Sequence, residues 1–221
     1  MRSARTTTLS ALATTALLAG LALAPVTAQP DDEAADVVTD WNVNALGAIS
    51  ASGAAPTLGS ALMGMVHGAV YDAVVSIAGG YEPYLGEVEA DPDASMVAAA
   101  AAAAHGVLDG LFPDQSADLQ ALLDASLAEV SDGPAKDAGI AVGEAAATAM
   151  LAAREGDGRG EPNPLTWDDG PGDHRPTPPA FAEYVDAGIA NVRTVLADDA
   201  TYYRTAGPLA RDSPEYAAEL E

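Results

Sequence analysis

The chain has 221 residues, no cysteine, and 33 acidic against nine basic side chains, a formal charge of −24 at neutral pH. Such a surface repels nucleic acid and anionic lipid, so neither is expected as a partner. Without cysteine, disulfides, thiolate nucleophiles and cysteine-ligated metals are excluded.

Residues 1–28 read as a secretory signal peptide. Arg2 and Arg5 precede an apolar, small-residue run over 9–24, and Val26-Thr27-Ala28 supplies the −3 and −1 positions of a cleavage site. The run is short for a membrane span and ends at Pro25, not in a stop-transfer pattern. The alternative is an uncleaved N-terminal anchor. Arg2 and Arg5 are not adjacent, which favours the general secretion route over a twin-arginine one. The mature chain is therefore expected outside the cell, free of the membrane after cleavage. Losing two basic and no acidic residues takes its charge from −24 to −26. The acidity reads as a solubilising surface in preference to clusters built for metal.

Residues 29–35 read as a flexible acidic leader, and 36–221 as one helical domain with enough chain to bury a core. A first helix is expected over 36–52, with Val37, Val38, Trp41, Ala45, Ala48 and Ile49 on one face. Gly53 and Pro56 break the chain before a second helix over 57–78. That helix carries Leu58, Leu62, Met65, Val66, Ala69, Val70, Ala73, Val74 and Ile77 at helical spacing. Its small column Ser60, Gly64, Gly68 predicts a closely approaching neighbour, burial on both sides and a central place in the domain. Gly79-Gly80 ends it, and 81–92 is an irregular segment. Asp93 or Ser95 caps a third helix with seven consecutive alanines, Ala98 to Ala104. Pro113-Asp114 starts a fourth, with the stripe Leu119, Leu122, Leu123, Leu127 and Val130. Asp132-Gly133-Pro134 opens a fifth, reaching about Arg154. From Glu155 to Pro179, 11 of 25 residues are Gly or Pro, which predicts a wrap or loop instead of a helix. A modest helix is expected over 180–197, and Ser213-Pro214 starts a last one. No stretch alternates as strands do. The expected class is all-α, a bundle of about five to six helices with a Gly/Pro-rich loop towards the C-terminus.

His67 and Asp72, five residues apart, stand about 140° apart around a helix and do not face each other. His67 with Tyr71, and His105 with Asp109, do share faces. No HExxH, paired Glu-x-x-His or third ligand at helical spacing accompanies them, so structural hydrogen bonding is expected of each. His174 lies among Asp168, Asp169 and Asp173 with glycines, but the order of a calcium loop is not met. Asp157-Gly158-Arg159-Gly160 is too short for a phosphate-binding loop and follows no strand. No Gly-x-Ser-x-Gly elbow occurs. The seven basic residues of the mature chain are scattered along it, so no convergent oxyanion cluster is expected.

A set of segments in order has a family look. It comprises Trp41-Asn42, Met65-Val66-His67-Gly68-Ala69-Val70-Tyr71-Asp72-Ala73, Tyr81-Glu82-Pro83-Tyr84, Ala104-His105 and Leu111-Phe112-Pro113. Gly139-Ile140-Ala141-Val142-Gly143, Ala153-Arg154 through Asp157-Gly158, Pro171-Gly172 with Arg175 to Pro179, and Ser213-Pro214-Glu215-Tyr216-Ala217 complete it. Together they resemble bacterial vanadium-dependent haloperoxidase-like proteins of the type 2 phosphatidic acid phosphatase superfamily. The resemblance implies that this region is the N-terminal helical half of such a protein. The anion site would then lie on a later bundle, with a Lys and an Arg, a Ser-Gly-His, and an Arg and a His. No Ser-Gly-His occurs here, and Lys136 stands in a different context, so no catalytic, cofactor-binding or metal-binding residue carries over. No cofactor is expected in this chain; vanadate is implied for the C-terminal half. That half, a helical bundle of the same protein, is the implied partner, and a homodimer is a further one. The final residues resemble the opening of the family's next helix, which implies an N-terminal fragment of a longer enzyme. The whole enzyme would oxidise halide with vanadate and peroxide, or hydrolyse a phosphoester. The alternative is a free-standing, secreted, acidic helical interaction protein without catalytic activity.

Overall fold

Proline and serine set where the helices begin. In the computed structural model, which describes residues 32–86, 88–162, 174–182, 184–197, 200–207 and 209–221, proline occupies the first turn of three helices. A missing amide hydrogen is harmless there. Ser95 and Ser213 each accept the amide three residues on, Ala98 at 3.2 Å and Tyr216 at 3.1 Å. The described residues form six helices and no strand: α1 Asp32–Ala51, α2 Pro56–Ala78, α3 Met96–Leu111, α4 Ser116–Ala128, α5 Pro134–Ala153 and α6 Pro214–Glu219. The fold is all-α. The signal-peptide segment and the acidic loop at 168–173 lie outside the described residues.

Local differences from the sequence expectation have identifiable causes. α1 begins at Asp32, inside the expected leader. Ala34 and Ala35 have high intrinsic helix propensity, which favours the extension. Pro113 opens a single 3-10 turn, Pro113–Gln115, before α4 starts. The helix expected over 180–197 is absent; only a 3-10 turn, Ala187–Asn191, forms there. Its bonds run outward instead. Asp186, in the left-handed region at φ 57°, accepts the amide of Leu58 at 3.0 Å and the hydroxyl of Thr57, so it caps α2. Arg193 donates its amide to Asp157 O at 2.7 Å. Tertiary bonds outweigh a weak helical propensity.

The centre of the bundle is α3 and not α2. α3 packs against α1, α2, α4 and α5, and none of Ala98 to Ala104 is more than 2% exposed. Methyl-sized side chains let α5 come close, and glycines on both helices complete the fit. A Cβ on Gly139 would sit 2.3 Å from Ser95 O, one on Gly143 2.4 Å from Ala99 O, and one on Gly106 2.7 Å from the Ala147 methyl. The small-residue column of α2 does not receive a helix in this way. Ser60 is exposed, a Cβ on Gly64 meets nothing within 4 Å, and only Gly68 is covered, by the end of Met150. Hence α2 is buried on one side: ten of its residues are buried, seven of them in the hydrophobic core, among them Met65, Val66 and Ala69, while Tyr71 is exposed.

Around this axis α1 and α4 close the bundle. Trp41 is 1% exposed and donates Nε1–H to Ser126 Oγ at 3.1 Å, tying the two helices. Leu119 and Leu123 of the α4 stripe are buried and Leu127 packs at the edge of the core, but Leu122 faces outward. Asp72, 2% exposed, accepts the amides of Tyr84 at 2.6 Å and Leu85 at 3.0 Å. Ser76 accepts that of Val88 at 3.1 Å, so both hold the irregular segment after α2 against that helix.

Glycine replacements separate the tight seam from the open column. Gly143→Ala is expected to lower stability by about 1–3 kcal/mol, because its methyl meets backbone that no rotamer can move. Gly64→Ala is expected to be neutral or to stabilise by about 0.5–1 kcal/mol. Urea unfolding of both variants measures the contrast.

Candidate functional site

The last turn of an α-helix leaves carbonyls without partners and a partial negative charge. At the end of α5 Arg159 and Arg193 answer this, while Arg154 holds the segment that crosses it. Arg154, 4% exposed, donates Nη1–H to Thr194 O at 3.2 Å and Nη2–H to Arg193 O at 2.8 Å. Arg159 donates Nη2–H to Arg154 O at 3.0 Å, and Arg193 donates Nη2–H to Ala153 O. Asp157, also 4% exposed, sits among them. It accepts from Arg159 Nε at 2.7 Å and from the Arg159 amide at 3.2 Å. Its Oδ2 lies 2.7 Å from Arg154 Nη2, close enough for an ion pair but not directed as a hydrogen bond, and Arg154 Nε has no partner.

The sequence expectation that the basic residues stay scattered is corrected here, since three of them converge. The signal was the Arg-x-x-Asp-x-Arg spacing just past α5, which brings Arg154, Asp157 and Arg159 round one turn. Nothing in the sequence points to Arg193, which arrives from nearly forty residues away. The cluster fastens the segment at 192–197 across the end of the bundle, and the Tyr84 hydroxyl adds a bond to Val195 O at 2.8 Å. A cleft of about 320 Å³ lies beside it, lined by Tyr84, Arg154, Arg193 and Thr194. Arg154 Nε is sealed from solvent, so it offers no donor to that cleft.

The histidines fall in separate places. His67 Nε2 is 3.1 Å from Asn42 Oδ1, joining α2 to α1, while Asp72 turns to the amides of Tyr84 and Leu85. The two do not meet. Tyr71, on the His67 face, donates its hydroxyl to Glu82 O at 3.0 Å. His105 stands edge-on to Trp41 with ring centres 6.3 Å apart. The buried atoms His105 Nε2 and Asp109 Oδ1 make no hydrogen bond, to each other or elsewhere. The bonding expected of that pair is therefore not found. His174 is exposed at the edge of a described segment. Lys136 donates to Asp132 Oδ1 at 2.8 Å and Val130 O at 3.3 Å, closing the α4–α5 turn. Among the described residues no three His, Asp or Glu side chains group as a metal site would require. Scans against protein-family models, curated proteins and solved structures returned no match.

Burial raises the Asp157 carboxyl, but the side-chain and amide bonds from Arg159 and the charges of Arg159 and Arg154 outweigh it. They hold the group below its ordinary 3.8. A carboxyl lowered in the folded state stabilises fully above its unfolded value and loses that contribution as pH falls through the folded one. Asp157→Asn is expected to cost on the order of 3 kcal/mol near neutral pH, because two guanidinium groups lose their counter-charge. The difference from the wild type should be full at neutral pH and close as pH falls below the ordinary carboxylate range, where Asp157 takes up its proton in the folded state. Thermal unfolding over pH measures it, and faster hydrogen exchange at the Arg193 amide is expected in the variant.

Proposed function

We propose that this chain is a helical packing domain without a catalytic set of its own, the N-terminal scaffold of a secreted vanadium haloperoxidase-like or acid-phosphatase-like protein. The observation that carries the reading is the commitment of the arginine cluster. Arg154 turns Nη1 and Nη2 to carbonyls of the 192–197 segment, Arg193 turns Nη2 to the end of α5, and Arg159 divides its donors among Arg154 O, Asp157 and Met65 Sδ; Arg154 Nε is buried without a partner. A site for a multiply charged oxyanion needs convergent donors that face a ligand. The best-placed cations of this chain face its own backbone. The histidines are likewise apart: one braces α1 on α2, one abuts Trp41, and the third lies beyond the bundle core. On this reading vanadate and the halide or phosphoester belong to the C-terminal bundle, and this chain packs against it and shapes its access.

Purified chain is expected to give no vanadate-dependent bromide oxidation and no phosphoester hydrolysis; turnover in either assay overturns the proposal. Replacing His67 by alanine is expected to cost about 1 kcal/mol of stability through loss of the Asn42 bond. Activity measured on a full-length protein carrying the catalytic bundle should be unchanged. Wild-type stability with lost turnover would instead put His67 at the site.

A further inference from the structure

α2 begins without a cap of its own. Its N-cap position holds Ala55, its first turn carries no acidic residue, and Pro56 stands at the start. The cap comes from far along the chain. The Asp186 carboxylate accepts the Leu58 amide at 3.0 Å and the Thr57 hydroxyl, placing a negative charge at the positive end of the helix. Asp186 is held for this at φ 57°, a left-handed conformation that a residue with a Cβ avoids. From there the chain runs over the turn that follows α5. A Cβ on Gly188 would sit 2.4 Å from Glu161 O, and one on Gly158 2.3 Å from Asn191 O, so backbone lies directly on backbone. The Arg193 amide then meets Asp157 O, Arg154 holds the carbonyls of Arg193 and Thr194, and Tyr84 holds that of Val195. The segment over 184–197 is thus a strap from the N-terminus of α2 to the C-terminus of α5.

These fastenings are all polar. No residue from 184 to 197 belongs to the hydrophobic core, and Val185, Val195 and Leu196 are 73%, 45% and 86% exposed. Lifting the strap therefore costs hydrogen bonds more than apolar burial, and water replaces the bonds. The anchors are also linked along the chain. The Ile189 amide bonds to Asp186 O at 3.0 Å and the Val192 amide to Ile189 O at 3.1 Å, and Arg193 comes next. Once the carboxylate leaves α2, the bonds that keep Asp186 at positive φ are gone. The turn built on its carbonyl then relaxes, and Arg193 loses its register on Asp157. We propose that 184–197 is a latch that opens and closes in one piece while the bundle stays folded. Opening takes the cap from α2 and the carbonyl partners from Arg154 in the same event, so the start of α2 and the end of α5 are coupled through the strap.

Native-state hydrogen exchange, with the lesion at one end of the strap and the readout at the other, tests the proposal. In the wild type the Leu58, Ile189 and Arg193 amides should be at least about tenfold less protected than that of Val107 in the core, because the latch opens without global unfolding. Tyr84→Phe removes the bond to Val195 O and keeps the ring. It should speed exchange at Arg193 by about 3–10-fold, and at Leu58, at the far end, by the same factor. Asp186→Asn keeps a side chain that tolerates left-handed backbone but takes the charge from α2. It should speed exchange at Arg193 by as much as at Ile189. A lesion felt only at its own end makes the anchors independent and overturns the proposal. So does protection at Leu58 and Arg193 equal to that at Val107, which makes the strap part of the global unit.

Discussion

The close approach of α3 and α5 is the constraint on which the rest of the structure depends. Seven alanines on α3 and glycines at 139 and 143 on α5 bring the two backbones near contact. Small side chains bury little apolar area each, so the seam derives its stability from many short-range contacts and from a low loss of rotamer freedom. It also leaves no room for error, because a methyl added at Gly139 or Gly143 strikes a carbonyl. The larger residues, Trp41, Leu108, Val66 and Met150, then fill the space around this rod.

With α3 and α5 fixed, the end of α5 is fixed, and with it the place where the C-terminal segment attaches. The arginine cluster compensates the helix end and binds the 192–197 segment in the same set of bonds. Burying two guanidinium groups around one carboxylate is costly unless their remaining donors are met. Here backbone carbonyls meet most of them. This is why a cluster that could have served chemistry is better understood as a fastening. The two roles compete for the same donors.

Most of the fold was legible in the sequence because periodicity and punctuation carry it. The apolar stripes placed five helices to within a few residues, and Pro56, Gly79 and Pro134 marked their ends. What could not be read is which helix lies at the centre. The stripe of α2 is richer in large residues than the alanine run of α3. Centrality follows from how closely neighbours approach, and single-helix patterns do not encode that. The absent helix at 180–197 fails for a related reason, since Asp186 and Arg193 bond to elements far away in sequence. The separation of His67 from Asp72 was readable from helical angle alone. The cluster at Arg154 was half readable: local spacing gives Asp157 and Arg159, whereas Arg193 comes from the tertiary fold.

The close seam makes α3, with its partner face on α5, the last part of the molecule to come apart. Native-state hydrogen exchange resolved by residue tests this most directly. The amides of α3 from Ala101 to Leu108 and of α5 from Val142 to Met150 should exchange only through global unfolding, with the highest protection in the chain. Those of α1 and the 192–197 segment should open earlier. Highest protection in α2, with α3 exchanging through local openings, would instead make α2 the most stable element and the α3–α5 seam secondary.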